Sequence, residues 1–220
     1  FGNDHRLRGA ALIAQEMAHR ARNLMTIVRG LIGQPLRSQP VPPAVTELLL
    51  GRLAALSAAH KAIIRRNYTS ASMNDLVTLA LEPFRADASR INLAGPDLDV
   101  APQIGLILAL ALHELATNAL KHGALSVPSG HVELVWEPAS IGDQSGVRLM
   151  WRETGGLSLP TVRPATEGFG TNLLEKGLAW YGGEACLDFA PGGLTATLTL
   201  PLSLNQQDTP ETGSGDRTAT

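Results

Sequence analysis

Between residues 7 and 32 the apolar positions fall at Leu7, Ala11, Ala14, Ala18, Ala21, Met25, Val28 and Ile32, in steps that alternate between four and three. That is the seam of a heptad repeat, and it predicts a long helix, on the order of 40 Å at about 1.5 Å per residue. Neither Gly nor Pro interrupts residues 11–28, and Gly33, Pro35, Pro40, Pro42 and Pro43 predict where the helix ends. A second helical run over residues 44–66 carries Val45, Leu49, Leu53, Leu56 and Ile63. Two helices with a Pro-rich connection form an αα-hairpin. Apolar positions occur on more than one of its faces, so a second copy completing a four-helix bundle, and hence a homodimer, is expected.

The pattern then changes. Residues 67–72 (Asn-Tyr-Thr-Ser-Ala-Ser) are polar and suit a linker or hinge. Residues 73–84 read as a helix, and 90–93 and 98–100 as short strands around the turn Gly95-Pro96-Asp97. Residues 102–121 form the strongest helical pattern, apolar on nearly every side in the first half and therefore buried. Alternation over 131–136 and 147–151 predicts two strands joined through Gly142-Asp143-Gln144-Ser145-Gly146. A helix over about 171–181 and strands over 184–189 and 195–200, hinged on Pro191-Gly192-Gly193, complete the series. This order predicts an α+β fold in which helices cover one face of a mixed, mostly antiparallel sheet. The expected division is a helical hairpin over 1–70, a two-layer domain over 71–204, and a disordered tail over 205–220, where no large apolar residue occurs.

Composition narrows the function. Hydrophobic residues make up 44% of the 220 and charged residues 17%, which excludes global disorder. A net charge of −2 argues against a nucleic-acid binder driven by bulk positive charge, and 4% aromatics are too few for a base-stacking platform. The single cysteine, Cys186, excludes an internal disulfide framework and a thiolate zinc cluster, and is expected to be a small buried hydrophobe. No uninterrupted apolar run reaches 18 residues, so no membrane segment is predicted and a cytoplasmic location, free or on the inner side of a membrane-anchored receptor, is expected. The chain opens on Phe1 without an initiator methionine, which fits a piece of a longer protein with an upstream sensor. Of its 18 basic residues only Lys61, Lys121 and Lys176 are lysines, so each lysine position is informative.

Four clusters could carry chemistry. On the helix over 102–121, Glu114, Asn118 and Lys121 share a face, with His113, Thr117 and His122 nearby. A carboxylate, a carboxamide and an ammonium so arranged could bind a hard cation and a phosphate together; the plain alternative is a solvated helix face. Trp151-Arg152-Glu153-Thr154-Gly155-Gly156 ends a strand, where paired glycines admit a flat ligand close to the backbone, or simply make a surface turn. Gly168-Phe169-Gly170 precedes a helix, either as a phosphate cradle or as an ordinary helix entry. On the first helix His19 flanks the apolar seam, and Asn23 lies one turn further along the same face. The remaining histidines read blandly: His60 as packed among helices, His5 and His131 as exposed. Trp136 and Trp180 read as core or interface fillers.

Taken together these stretches resemble the transmitter region of bacterial sensor histidine kinases of the HWE subfamily. Glu16-Met17-Ala18-His19-Arg20-Ala21-Arg22-Asn23 resembles its phosphoacceptor box, and His113-Glu114-Leu115-Ala116-Thr117-Asn118-Ala119-Leu120-Lys121-His122-Gly123-Ala124 its N box. Trp151-Arg152-Glu153 resembles the Trp-x-Glu element, Glu153-Thr154-Gly155-Gly156 the first glycine box and Gly168-Phe169-Gly170 the second. Ala18 departs from the pattern, standing where a polar residue often precedes the phosphoacceptor. Tyr68 is a further departure, where an aromatic, commonly Trp, closes the second helix, and residues 157–167 are short for an ATP lid.

The resemblance implies a Bergerat-type ATP-binding sandwich after the hairpin. By it, His19 would take the γ-phosphoryl group of ATP, Asn118 with Glu114 would hold Mg²⁺, and Lys121 would meet phosphate oxygens. Glu153 would accept from the adenine amino group, and His122 would lie against the nucleotide. Gly155, Gly156, Gly168 and Gly170 would line the pocket, and Thr195 would make a water-mediated adenine contact. Asn23 would orient water in the reverse reaction. The implied partner is the receiver domain of a response regulator, whose aspartate takes the phosphoryl group. Competing expectations are a phosphotransfer or response-regulator phosphatase protein without autokinase activity, a serine kinase sharing only the ATP-binding half, and a non-enzymatic coiled-coil adaptor.

Overall fold

The structure, a computed structural model, describes residues 42–156 and 173–204. The first predicted helix, with His19 and Asn23, the second glycine box, with Gly168 and Gly170, and the tail over 205–220 all lie outside the described residues.

Helix α1 (Pro43–Arg65) and helix α3 (Pro102–Lys121) each begin with proline in the first turn, where a missing N–H costs nothing and the fixed φ favours the helix. After α1 the chain reverses through Asn67 and Tyr68, whose φ angles of 52° and 63° are left-handed. The predicted linker ends early: Ala71 and Ser72 are buried and form strand β1 (Ala71–Ser72), paired with β3 (Asp99–Val100). Ser72 then caps α2 (Met73–Leu81), accepting from Asp75 N–H at 3.2 Å while its hydroxyl donates to Asp97 at 2.6 Å. The polarity of these residues therefore serves capping and turn bonds rather than solvation of a free linker.

The main sheet runs β2 (Ile91–Ala94), β4 (His131–Ile141), β5 (Gln144–Thr154), β7 (Gly193–Pro201) and β6 (Glu184–Ala190), in that spatial order. β2 pairs parallel with β4 and every other pairing is antiparallel, as the order of elements predicted. β4 and β5 exceed their predicted lengths because a two-residue turn, Gly142–Asp143, continues the ladder to Ile141 and Gln144. A single turn of π-helix (Leu173–Gly177) precedes β6 in place of the start of the longer predicted helix.

One face of the sheet presents Val132, Leu134, Trp136, Leu149, Trp151, Ala196 and Leu198 to α3, which is buried along most of its length. α3 alone among the described helices has the length and apolar composition of a membrane span, with mean hydropathy 1.3, and it lies in this core. α1 joins the same core through Ala59, Ala62 and Ile63, so the buried cluster is continuous across the expected boundary at residue 70. His60 packs against Tyr68, with its Nε2 3.3 Å from the phenol oxygen.

The opposite sheet face is mainly polar, with Val135 and Met150 exposed on it. Cys186, expected in the core, is exposed because β6 is an edge strand whose alternation sends residue 186 to this face. Trp180 is 78% exposed and fills no core position, whereas Trp136 is buried and donates its N–H to Pro96 O at 2.8 Å.

Candidate functional site

The C-terminal end of α3 changes character within two turns. His113 and Glu114 are buried, whereas Asn118, Lys121 and His122 are exposed on the last turn and just beyond it. Asn118 O accepts from both His122 N–H, at 2.8 Å, and Gly123 N–H, at 3.0 Å, which closes the helix. The partial negative charge at this end favours a bound cation and a lysine alike.

Glu114 meets a guanidinium. Arg52 Nε of α1 donates to its Oε1 at 2.6 Å, with both side chains largely buried. Beside this pair the His113 ring packs edge-on against Phe84, with ring centres 5.2 Å apart, and a Cβ added at Gly51 would stand 2.6 Å from His113 Nε2. Burial, the largest influence, holds the His113 imidazole below its usual range, keeping it neutral. In this arrangement Glu114 Oε1 is already engaged, so of the two candidate cation ligands on this helix the one exposed to solvent is Asn118.

Glu153 lies at the end of β5, 3% exposed. Its Oε2 accepts from Ala124 N–H at 2.8 Å and its Oε1 from Trp151 Nε1 at 3.1 Å. Trp151 and Glu153 are two apart on one strand and so project from the same face. Desolvation pushes the Glu153 carboxyl above its usual range, and the two N–H groups oppose that rise. Gly123 makes the junction possible, because a Cβ there would collide with Glu153 Oε2. Lys121, His122 and Gly123 immediately precede Ala124, so the end of α3 and the end of β5 converge on one region.

The glycine pair after Glu153 acts in backbone packing. Gly155 has a φ of +69°, and a Cβ on it would lie 2.6 Å from Ser129 O, while one on Gly156 would lie 2.7 Å from Ala124 Cα. These glycines let the end of β5 close onto residues 124–130. Arg90 holds the same loop from the other side, donating to Gly130 O at 3.0 Å, to Ala124 O at 3.3 Å and to Val127 O.

The structure does not bring Thr195 to this cluster. In β7 it pairs with Arg152, on the face opposite Glu153 and Trp151, while Leu194 and Ala196 face the core. The expected adenine contact from Thr195 is therefore corrected by strand alternation, which the apolar spacing of Leu194, Ala196, Leu198 and Leu200 already carried. Arg52 and Arg90 escaped the sequence reading, since each acts on a partner distant in the chain. Gly123 carried a weak signal as the residue ending the helix.

The arrangement can hold an anion chain near Lys121, a cation at Asn118 and a hydrogen-bond donor at Glu153. Residues 16–97 match the HWE histidine kinase family model. The blue-light-activated histidine kinase of Brucella anthropi is 36% identical over 196 residues, covering 88% of this chain and 39% of that protein. Its counterpart in Brucella abortus is 35% identical over 195 residues, covering 88% and 40%. The chain thus spans about two-fifths of the length of the curated relatives it matches. The histidine kinase domain of a blue-light activated histidine kinase from Erythrobacter litoralis shares the fold, with a TM-score of 0.58 at 18% identity over 90% of this chain and 94% of that one. A second structure of the kinase from that organism gives a TM-score of 0.61 at 17% identity, covering 86% of this chain and 60% of that one. With the family match and curated relatives that cover most of its length, the chain belongs to the HWE histidine kinase family.

Proposed function

We propose that this chain is the transmitter of a sensor histidine kinase, binding ATP at the convergence of α3 and β5 and transferring its γ-phosphoryl group to His19. The observation that carries the reading is the fixed, buried carboxylate of Glu153, held between two N–H groups three residues from Lys121 along the loop it contacts. A buried carboxylate with neutral partners retains acceptor capacity for the amino group of a purine. Lys121 meets phosphate oxygens, His122 lies against the nucleotide, and Gly155, Gly156, Gly168 and Gly170 shape the backbone around it. Asn118 would hold Mg²⁺, with Glu114 behind it in the Arg52 pair. When bound, that ion neutralises phosphate charge and fixes the geometry of the chain.

Phosphoryl transfer depends on alignment and charge neutralisation more than on covalent help. A neutral His19 ring nitrogen forms the N–P bond as the bond to the β-phosphate oxygen breaks, and ADP leaves. The phosphoryl group then passes to an aspartate of a response-regulator receiver domain, and Asn23 orients water in the reverse reaction. The hairpin over residues 1–70 serves dimerisation and phosphotransfer, and residues 71–204 serve ATP binding. The blue-light activity named for the relatives makes an upstream light sensor a candidate input.

Incubation with γ-labelled ATP and Mg²⁺ tests the reading. An acid-labile, base-stable label that disappears in His19→Ala is expected. Nucleotide binding with no label would instead favour a phosphotransfer or phosphatase protein, and acid-stable label on serine or threonine would favour a serine kinase. Dimerisation is checked by light scattering, in which a mass near 23.2 kDa at micromolar concentration would refute it.

A further inference from the structure

We propose that Trp151 is a positioning residue for purine recognition, aiming the Glu153 carboxylate through its indole N–H. The proposal deepens the nucleotide-site reading above and rests on it. Trp151 has no exposed surface, so it touches no ligand itself and can act only through what it bonds. A carboxylate offers about four acceptor positions on two oxygens. Here one oxygen receives Trp151 Nε1 at 3.1 Å and the other receives Ala124 N–H at 2.8 Å. One donor on each oxygen fixes the plane of the carboxylate, where a single donor would leave it free to rotate. Each oxygen keeps an acceptor position for an incoming N–H.

The supports on both sides are themselves constrained. Ala124 belongs to the loop that Arg90 clamps through three carbonyls, and Gly123 leaves room for Glu153 Oε2 where a Cβ would collide with it. Trp151 is locked in the core of the central strand β5, between β4 and β7. Among the described residues both hydrogen-bond donors to Glu153 are neutral, so its charge is oriented without being cancelled by a cation. Such a group rewards a base that presents an exocyclic amino group, by about 10- to 100-fold for one charge-assisted hydrogen bond. A phenylalanine at 151 would fill much of the same core and provide no donor, so core filling alone does not account for a tryptophan whose N–H meets this oxygen.

Calorimetric binding to the full chain provides the test, comparing ATP with purine riboside triphosphate, which lacks the 6-amino group. Two variants are used: Trp151→Phe, and replacement of Trp151 by β-(3-benzothienyl)alanine, which keeps the shape of tryptophan and removes only the N–H. The unaltered chain is expected to prefer ATP by roughly 10- to 100-fold. Both variants should lose most of that preference by weakening toward ATP, with affinity for the deamino analogue unchanged within about twofold. Parallel weakening toward both nucleotides, or undiminished preference in the benzothienyl variant, would overturn the positioning role and leave the nucleotide site standing. Failure of the unaltered chain to bind either nucleotide would overturn the site, and the proposal with it.

Discussion

Glu114 and Glu153 are both buried carboxylates near the end of α3, yet their surroundings differ in kind. Glu114, 4% exposed, is neutralised by the Arg52 guanidinium of another helix, 62 residues away in sequence. Glu153, 3% exposed, has N–H dipoles as its hydrogen-bond donors among the described residues. A full opposite charge makes a carboxylate a structural tie, because its attraction is spent on the partner. Dipoles orient a carboxylate and leave its charge available to a ligand, at the cost that burial raises its pKa. The first carboxylate therefore joins α1 to α3, and the second is suited to recognition.

Removing Arg52 should produce the largest effect. Arg52→Ala leaves the Glu114 charge buried without its guanidinium, and a loss of about 3–5 kcal/mol is expected in denaturant unfolding. Adding Glu114→Gln should recover much of it, and a single-variant loss below about 1 kcal/mol would show that the pair is not a tie.

Gly123→Ala comes next, since its Cβ would collide with Glu153 Oε2. Overpacking of about 1–3 kcal/mol should accompany a loss of nucleotide affinity of at least tenfold. Normal affinity in a stably folded variant would place purine recognition elsewhere.

Smaller effects follow from protonation. The folded state raises the Glu153 pKa, so its protonated form is favoured by folding. The associated stability is present below the ordinary carboxyl value of 4.5 and is lost as pH rises through the folded pKa. Glu153→Gln should remove this slope from the pH–stability curve. His113 has the opposite sign: its pKa is lowered, so stability is full above 6.5 and declines as pH falls toward the folded pKa. Following the His113 resonances by NMR alongside unfolding checks this, and titration at or above the normal value would contradict it.

The smallest effect belongs to Glu137 and Arg148, a cross-strand pair at 3.6 Å on the exposed sheet face. A double-mutant cycle should give about 0.2–1 kcal/mol, falling with added salt. A coupling comparable to that of Arg52 and Glu114 would erase the distinction between buried and exposed pairs.

The extent of α3 was legible because proline at its start and a nearly continuous apolar pattern both act locally. The strands of the main sheet were legible for the same reason, since period-two alternation needs only neighbouring residues. Trp151 and Glu153 could be placed on one face by that alternation, and Glu114, Asn118 and Lys121 on one helix face by turn geometry. The apolar alternation of β7 also contained the correction for Thr195, once its face is read before its identity.

What the sequence by itself determined, then, is where most of the described helices and the main-sheet strands lie and which residues share a face, because those properties depend on separations of two to four residues. Tertiary structure alone decided that Arg52 neutralises Glu114, that Arg90 clamps the loop bearing Ala124, and that Trp151 and Ala124 divide the two oxygens of Glu153. It also made Cys186 an exposed edge residue and drew α1 into the sheet core. These outcomes depend on how distant segments dock, and burial then sets the strength of each charge they bring together.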